Sequence, residues 1–346
     1  MINLGVIFGG MSTENEVSVV SGESILKNLN KEKYNIFPIY IDKNGEWYNH
    51  QTKEKIENIV EYLKPIDVVF PVLHGLYGED GTIQGLFELL KKPYVGCKVL
   101  ASSVGMDKAY AKIIFEKAKL NQAKYIYIKK YKQDKFIYID ENMEETKIDN
   151  KELVNLVSKK LKYPIFVKPS NSGSSIGINK AQNEEELIKY VKEAAIYDNK
   201  ILIEQGIIGK EVECAVIGNS EIGVEASRVG EIISAEEFYS YDAKYNNQDS
   251  KTVIPASITE EQSEEIRKMA VKAYKAIDGN GLSRVDLFVE EKTGKIYISE
   301  INTMPGFTNI SMYPKLMEDL GYNYPALLDR LIEMAQWISK KDRPLF

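Results

Sequence analysis

The sequence predicts a multidomain protein of mixed α/β and α+β class, opening with a parallel α/β sheet. Three observations carry this expectation. The chain has 346 residues, too many for one ordinary core, so two or three domains are expected. Up to about residue 95, strand and helix patterns alternate, as they do around a parallel sheet. Farther on, alternating apolar segments separated by turn residues read as antiparallel strand pairs.

"LGVIFGG" is a first strand ending in glycines, and a helix follows from about Glu16, with Val17, Val20, Ile25 and Leu29 at roughly helical spacing. "NIFPIYI" is a second strand, and "DVVFPVLHG" a third that ends at His74 and Gly75. "GTIQGLFELL" reads as a helix and "PYVGC" as a short strand. "SSVGMDKAYAKIIFEKAKL" reads as one helix leading into a new region. "YIYIKKYKQDKFIYID" alternates like a hairpin, and the acidic "ENMEETKIDN" reads as a loop. "YPIFVKPSNSGSSIGINK" is strand, Ser/Gly loop, strand, and "KILIEQGIIGKEVECAVIG" is two strands around a bend. Residues 232–255 are polar and Tyr-rich and read as a long loop, of a length usually functional or disordered. A hairpin over 284–306 and a helix over "YPALLDRLIEMAQWISKK" complete the order.

Composition excludes several classes. A net charge of −6 argues against an electrostatic nucleic-acid binder. Two cysteines, Cys97 and Cys214, do not make a disulfide framework and suit a reducing compartment. With His50 and His74 the only histidines, a zinc site or a Ser-His-Asp triad is not expected. "MINLGVIFGG" lacks the features of a signal peptide, and no apolar run reaches membrane-spanning length, so a cytoplasmic protein is expected.

Chemistry concentrates in a few stretches. In "RVDLFVEEKTGKIYISEINTMPG", side-chain alternation places Arg284, Asp286, Glu300 and Asn302 on one face. A turn near Thr293 sets Asp286 opposite Glu300 and Arg284 opposite Asn302. Opposed carboxylates repel. A cation between them would turn that repulsion into binding, and two carboxylates plus an amide oxygen suit Mg²⁺ completed by substrate phosphates. The bland alternative is a solvated pair, or acids paired with Arg284.

"KPSNSGSSIG" is a candidate phosphate holder, with Lys168 at the strand end as a point charge. It is not a Walker A loop, and no strand is followed by GxGxxG. In "ILIEQGIIGKE", backbone groups from Glu204 through Gln205 to Ile207 can read an adenine edge and Glu211 can take ribose hydroxyls, although any apolar strand pair looks similar. Thr13-x-x-Glu16 fits a capping box, and Glu16 at that helix start can also hold a substrate ammonium. His74 ends a strand where α/β sheets bind ligands, although a lone histidine is more often structural.

Seven stretches in this order, "GGMSTENEVSVVSG", "PVLHGLYGEDGTIQGLFEL", "VGMDKAYAK", "FVKPSNSGSSIGI", "FYSYDAKY", "RVDLF" and "SEINTMPGFTNISMYP", resemble the D-alanine–D-alanine ligase family of the ATP-grasp superfamily. The resemblance covers nearly the whole chain. It implies a three-domain ATP-grasp architecture: an N-terminal parallel α/β (pre-ATP-grasp) domain over 1–96, a central subdomain over 97–203 and a C-terminal subdomain over 204–346. It implies ATP-dependent joining of two D-alanines through an acylphosphate, with two Mg²⁺ ions (Mn²⁺ as substitute) held by Asp286, Glu300 and Asn302. Lys108, Lys168 and Lys244 would contact phosphates or substrate carboxylate, and Arg284 with the Gly306 N–H would form an oxyanion hole. Glu16 would take the first ammonium and Ser311 the second carboxylate, beside Met312, where leucine or another apolar residue is common in the family. Ser174 and Tyr245 would bond to each other and back toward Glu16, closing a lid over 236–251. A homodimer is implied by the resemblance alone. D-alanine–D-serine ligases of the vancomycin-resistance type share most of these motifs and are the nearest rival.

Overall fold

The computed structural model describes residues 1–233, 251–308 and 310–341. They form three sheets, each with its own helices.

The first sheet has the order β3-β2-β1-β4 and comprises β1 (Ile2–Gly9), β2 (Tyr34–Ile41), β3 (Trp47–Asn49) and β4 (Val68–Pro71). β1 pairs in parallel with β2 and β4, while β3 is a short antiparallel edge absent from the sequence expectation. Helices α1 (Asn15–Asn28), α2 (Ile59–Leu63) and α3 (Thr82–Leu89) belong to this unit. "PYVGC" contributes one bridge, Tyr94 to Val69, rather than a strand. The predicted capping box is absent: the N-cap of α1 is Glu14, and its side chain makes no cap hydrogen bond.

Past residue 96 the single expected helix is two, α4 (Val99–Met106) and α5 (Lys108–Lys117). Extended backbone at Asp107 separates them, and its carboxylate caps α5 by accepting from the Ala109 and Tyr110 N–H groups.

The second sheet runs β7-β6-β5-β10-β8-β9 and is antiparallel along all its described pairings. Its strands are β5 (Tyr125–Lys132), β6 (Lys135–Ile139), β7 (Glu145–Asp149), β8 (Ile165–Pro169), β9 (Asn179–Ala181) and β10 (Lys200–Gln205). Helices α6 (Asn150–Lys160) and α7 (Glu184–Tyr197) share a core with it. The expected acidic loop supplies β7, an exposed edge strand whose charge masks its pairing role.

The third sheet, β13-β12-β11-β14-β15, holds β11 (Gly209–Asn219), β12 (Gly223–Ile233), β13 (Lys251–Val253), β14 (Gly281–Glu290) and β15 (Ile296–Asn302). Helices α8 (Glu260–Ala276), α9 (Met312–Asp319) and α10 (Tyr324–Lys341) complete the unit. The expected long loop over 232–255 therefore begins inside β12 and includes β13, and its middle lies outside the described residues.

Two boundaries move. The division at 203/204 falls inside β10, whose Glu204 pairs with Tyr125 and Phe166 in the second sheet. Residues assigned to the central unit, among them Cys97, Ala101, Phe115 and Leu120, pack instead with Val212, Val285 and Ile298 of the third. Apolar periodicity shows that a helix buries a face, but not which sheet receives it.

Candidate active site

A cleft of about 770 Å³ opens where the three units meet. Glu14, Glu16 and Val17 at the start of α1, the Ser/Gly loop, Arg284, Glu300 and Asn302 of β14 and β15, and residues 303–306 and 310–312 line it.

The hairpin pairs as its alternation predicts, with Arg284 opposite Asn302 and Asp286 opposite Glu300. Glu213 on β11 lies opposite Asp286 on the other side, so three acids cross the sheet in a row. Arg284 offsets their repulsion. Its Nε and one terminal nitrogen each donate to Asp286 at 2.7 Å, and Nε lies 3.1 Å from Glu213 Oε2. Burial alone would lower the guanidinium pKa, but Asp286 and then Glu213 hold it well above its ordinary value. Asn302 donates from Nδ2 to Asp286 Oδ2 at 2.9 Å, and Lys108 Nζ stands 3.3 Å from Glu300 Oε2. Among the described residues no three His, Cys, Asp or Glu side chains converge as a metal cluster. The donors available here are two carboxylates and an amide, a set that suits a hard cation sharing its remaining positions with water and phosphate.

Lysines and the Ser/Gly loop face that row. Lys108 donates to the Ser172 carbonyl at 2.6 Å, tying α5 to the loop. The base of the loop is stapled again at Asp107, which accepts from Ser170 Oγ at 2.6 Å and pairs with Lys200. At its tip, Ser174 and Ser175 both have left-handed backbone, φ 48° and 59°, a turn that can present N–H groups to an anion. Lys168 donates to Glu204 Oε2 at 2.5 Å, and Lys112 pairs with the other oxygen of the same carboxylate. Burial pushes the Glu204 carboxyl up, but the two lysines outweigh it and bring it down to about 2. A depressed carboxyl stabilises the fold above its ordinary pKa, and that contribution disappears as the folded-state group protonates. Wild-type protein is therefore expected to lose stability as pH falls from about 4.5 through about 2. Urea midpoints across that range check this, because Glu204→Gln removes the titration and flattens the slope.

The carboxylate at the start of α1 that reaches the loop is Glu14, not Glu16. Glu14 is 6% exposed and accepts from Ser174 Oγ. Glycines make room for it: a Cβ at either Gly75 or Gly173 would stand 2.5 Å from its Oε2. The Glu16 side chain is 81% exposed and pairs with Lys43 at 3.0 Å. The chain enters α1 at Glu14, so Glu14 faces the loop while Glu16, already in the first helical turn, stands at the exposed rim of the cleft.

His74 is buried between units. Its Nδ1 is 3.2 Å from the Met304 carbonyl and its Nε2 3.0 Å from Ser21 Oγ, which also receives the Phe307 N–H at 3.3 Å. A carbonyl only accepts, so the Nδ1–Met304 contact places a proton on Nδ1, and Ser21 Oγ meets the other ring nitrogen. This chain ties the first unit to the segment carrying Gly306. A Cβ at Gly306 would meet Ser311 Oγ at 2.8 Å, so the two sit side by side. Ser311 is the N-cap of α9, its Oγ engaged by Thr308, and buried Met312 follows it.

The adenine candidates divide. Glu204 points inward to the lysines, and Gln205 clamps Lys162 through that residue's N–H and carbonyl, both at 2.8 Å. Ile207 lies in the bend between β10 and β11, and Glu211 is on β11, opposite Ile232 and Phe288. Lys244 and Tyr245 lie outside the described residues. Sequence reasoning missed Glu14, Ser21, Lys112 and Glu213. All four acquire partners far along the chain, and only Glu14 lay beside a residue the sequence singled out.

The family described as "D-ala D-ala ligase N-terminus" matches residues 3–97, and "D-ala D-ala ligase C-terminus" matches 114–333. A D-alanine–D-alanine ligase of Acetivibrio thermocellus is 50% identical over 95% of this chain and 94% of its own. The solved VanG D-Ala:D-Ser ligase of Enterococcus faecalis superposes with TM-score 0.82 at 35% identity, covering 96% of this chain and 99% of that one. The Bacillus anthracis D-alanine–D-alanine ligase complexed with ATP superposes with TM-score 0.76 at 29% identity, over 99% and 100%.

Proposed function

Because the chain belongs to the D-alanine–D-alanine ligase family, we propose that it uses ATP to join two D-alanines into D-alanyl-D-alanine for peptidoglycan precursors. One observation carries the reading: a single cleft gathers Lys108 and the Ser/Gly loop, Arg284, Glu300 and Asn302 of the hairpin, and the Ser311 helix start.

The reaction has two steps. A carboxylate oxygen of the first D-alanine attacks the γ-phosphorus of ATP, and the bond to ADP breaks, leaving D-alanyl phosphate. The amine of the second D-alanine then attacks the acyl carbon and loses a proton. The tetrahedral oxyanion collapses, and phosphate leaves as the peptide bond forms. Phosphoryl transfer depends on position and charge, which Lys108 and Lys168 supply around the γ-phosphate. Mg²⁺, with Mn²⁺ as substitute, would be held by Asp286, Glu300 and Asn302 and would neutralise phosphate charge. Glu14 takes the first ammonium, in the place expected of Glu16. Arg284 and the Gly306 N–H face the developing oxyanion. Ser311 and the start of α9 receive the second carboxylate, a favourable site for an anion. His74 and Met312 border that pocket; Lys244 and Tyr245, expected in a lid that excludes water from the acylphosphate, lie outside the described residues. Ile207 and the Gln205 backbone meet adenine, and Glu211 the ribose.

Among the described residues no helix is long and apolar enough to cross a membrane. We place the enzyme in the cytoplasm, as a homodimer, with the family.

The likeness to VanG favours one second reading, D-serine as second substrate. The discriminating region lies near Met312, whose thioether occupies space left by Gly230: a Cβ there would lie 2.7 Å from Met312 Sδ and 3.0 Å from Cε. Gly230→Ala is expected to push Met312 into the pocket, costing about 1–3 kcal/mol of stability. It should raise KM for the second amino acid several-fold while leaving KM for ATP alone. Steady-state kinetics with each substrate varied checks the split.

The function itself is tested by phosphate release with ATP and Mg²⁺, adding D-alanine, D-serine, D-lactate or L-alanine singly and then D-alanine with D-serine, with products identified by mass. D-alanine alone is expected to give D-Ala-D-Ala. Release only when D-serine joins D-alanine would favour the second reading, and silence throughout would refute both.

A further inference from the structure

Lys112 has no part in the roles assigned above, yet it is 2% exposed and shares the Glu204 carboxylate with Lys168. It lies one helical turn beyond Lys108 on α5, so the two share a stripe. Lys108 reaches the Ser/Gly loop, while Lys112 lies deeper, against Glu204 Oε1. Its ammonium has no hydrogen bond among the described residues beyond that ion pair, and stands 5.3 Å from the centroid of the Tyr125 ring.

We propose that Lys112 is a positioning residue for nucleotide binding, occupying Glu204 so that Lys168 keeps its positive charge for the phosphates of ATP. This rests on reading the cleft as an ATP site. Glu204 is a single buried carboxylate with an ammonium on each oxygen. One lysine would neutralise it. Burial pulls the Lys112 ammonium below its ordinary pKa, against the opposing pull of Glu204, and with both lysines protonated the trio carries one positive charge in surplus, an expensive arrangement unless an anion arrives to meet it. Lys168 carries that surplus outward, because it is the more exposed of the two lysines. The other acids acting on Lys168 are Glu300 and Glu211, and Glu300 also has Lys108 at 3.3 Å. Without Lys112, Glu204 and Lys168 would form a neutral pair, with no charge left over for the phosphates.

The test is to titrate adenosine, ADP and ATP, with Mg²⁺ and no amino acid, into wild-type enzyme and Lys112→Met by calorimetry. Wild type is expected to bind ATP more tightly than adenosine. The variant should lose roughly ten- to a hundredfold in ATP affinity, as for a lost charge-assisted contact, and no more than about twofold for adenosine. Equal losses for ATP and adenosine would make Lys112 a structural support of the whole pocket and overturn the proposal, as would no loss at all. Should Lys112→Met not fold, the double variant Lys112→Met/Glu204→Gln removes both buried charges together. It is expected to regain the preference for ATP over adenosine, because Lys168 is then released, and a double variant without that preference would overturn the proposal. Wild type blind to ATP would instead refute the nucleotide reading itself.

Discussion

Arg284→Met is expected to lower phosphate release about a thousandfold and to destabilise the protein by roughly 3–5 kcal/mol. Two losses coincide. The guanidinium is the side chain facing the proposed oxyanion, and one such donor is worth about a hundred- to a thousandfold. It is also the cation within bonding distance of both Asp286 and Glu213, which are buried. Removing it leaves like charges facing each other across β11 and β14. Single-turnover phosphate release gives the first effect, and urea denaturation without substrates gives the second. Arg284→Lys separates them: a retained charge should recover most of the stability, whereas the lost fork geometry should leave the rate low. A methionine variant of normal stability would mean that the acids do not depend on Arg284.

Glu14→Gln is expected to reduce kcat/KM for the first D-alanine roughly ten- to a hundredfold, the worth of a charge-assisted hydrogen bond. Glu16→Gln should stay within about twofold, because exposed ion pairs such as Glu16–Lys43 contribute little. The pair is informative because the two residues are two positions apart on one helix start. Equal losses would mean that both carboxylates meet the ammonium, and loss at Glu16 alone would restore the expectation drawn from sequence.

That contrast shows where sequence reading stops. The hairpin was legible to the residue pair, because two strands of alternating character around a Lys-Thr-Gly turn admit few registers. The Ser/Gly loop and its flanking strands were legible for the same local reason. Glu14 was not, since its partner Ser174 is 160 residues away and a capping pattern nearby pointed to its neighbour. Nor was the break at Asp107, because apolar spacing continues across it, and the carboxylate that ends one helix and starts the next draws its partners from Ser170 and Lys200. β7 escaped notice because an edge strand needs no apolar face. Local periodicity reports elements; partners across the fold decide which polar groups become a site.

The path of the chain between units has a kinetic meaning. The second sheet is an excursion from the third unit. The chain leaves after Leu120, which packs in the third core, and returns at β11. Its ends lie side by side, with Gln205 N–H donating to the Lys124 carbonyl at 2.8 Å and Asn121 accepting from Ile298 N–H at 2.9 Å. If the excursion folds first, its departure and return points are already together. The loop entropy that opposes joining α5 to β11 then shrinks to that of a few residues. If it does not, the third unit must close a far longer loop, with contacts of high sequence separation that form slowly. Assembly order is thus written into where one sheet is inserted in another: destabilising the β5–β10 pairing should slow folding of a core it does not belong to.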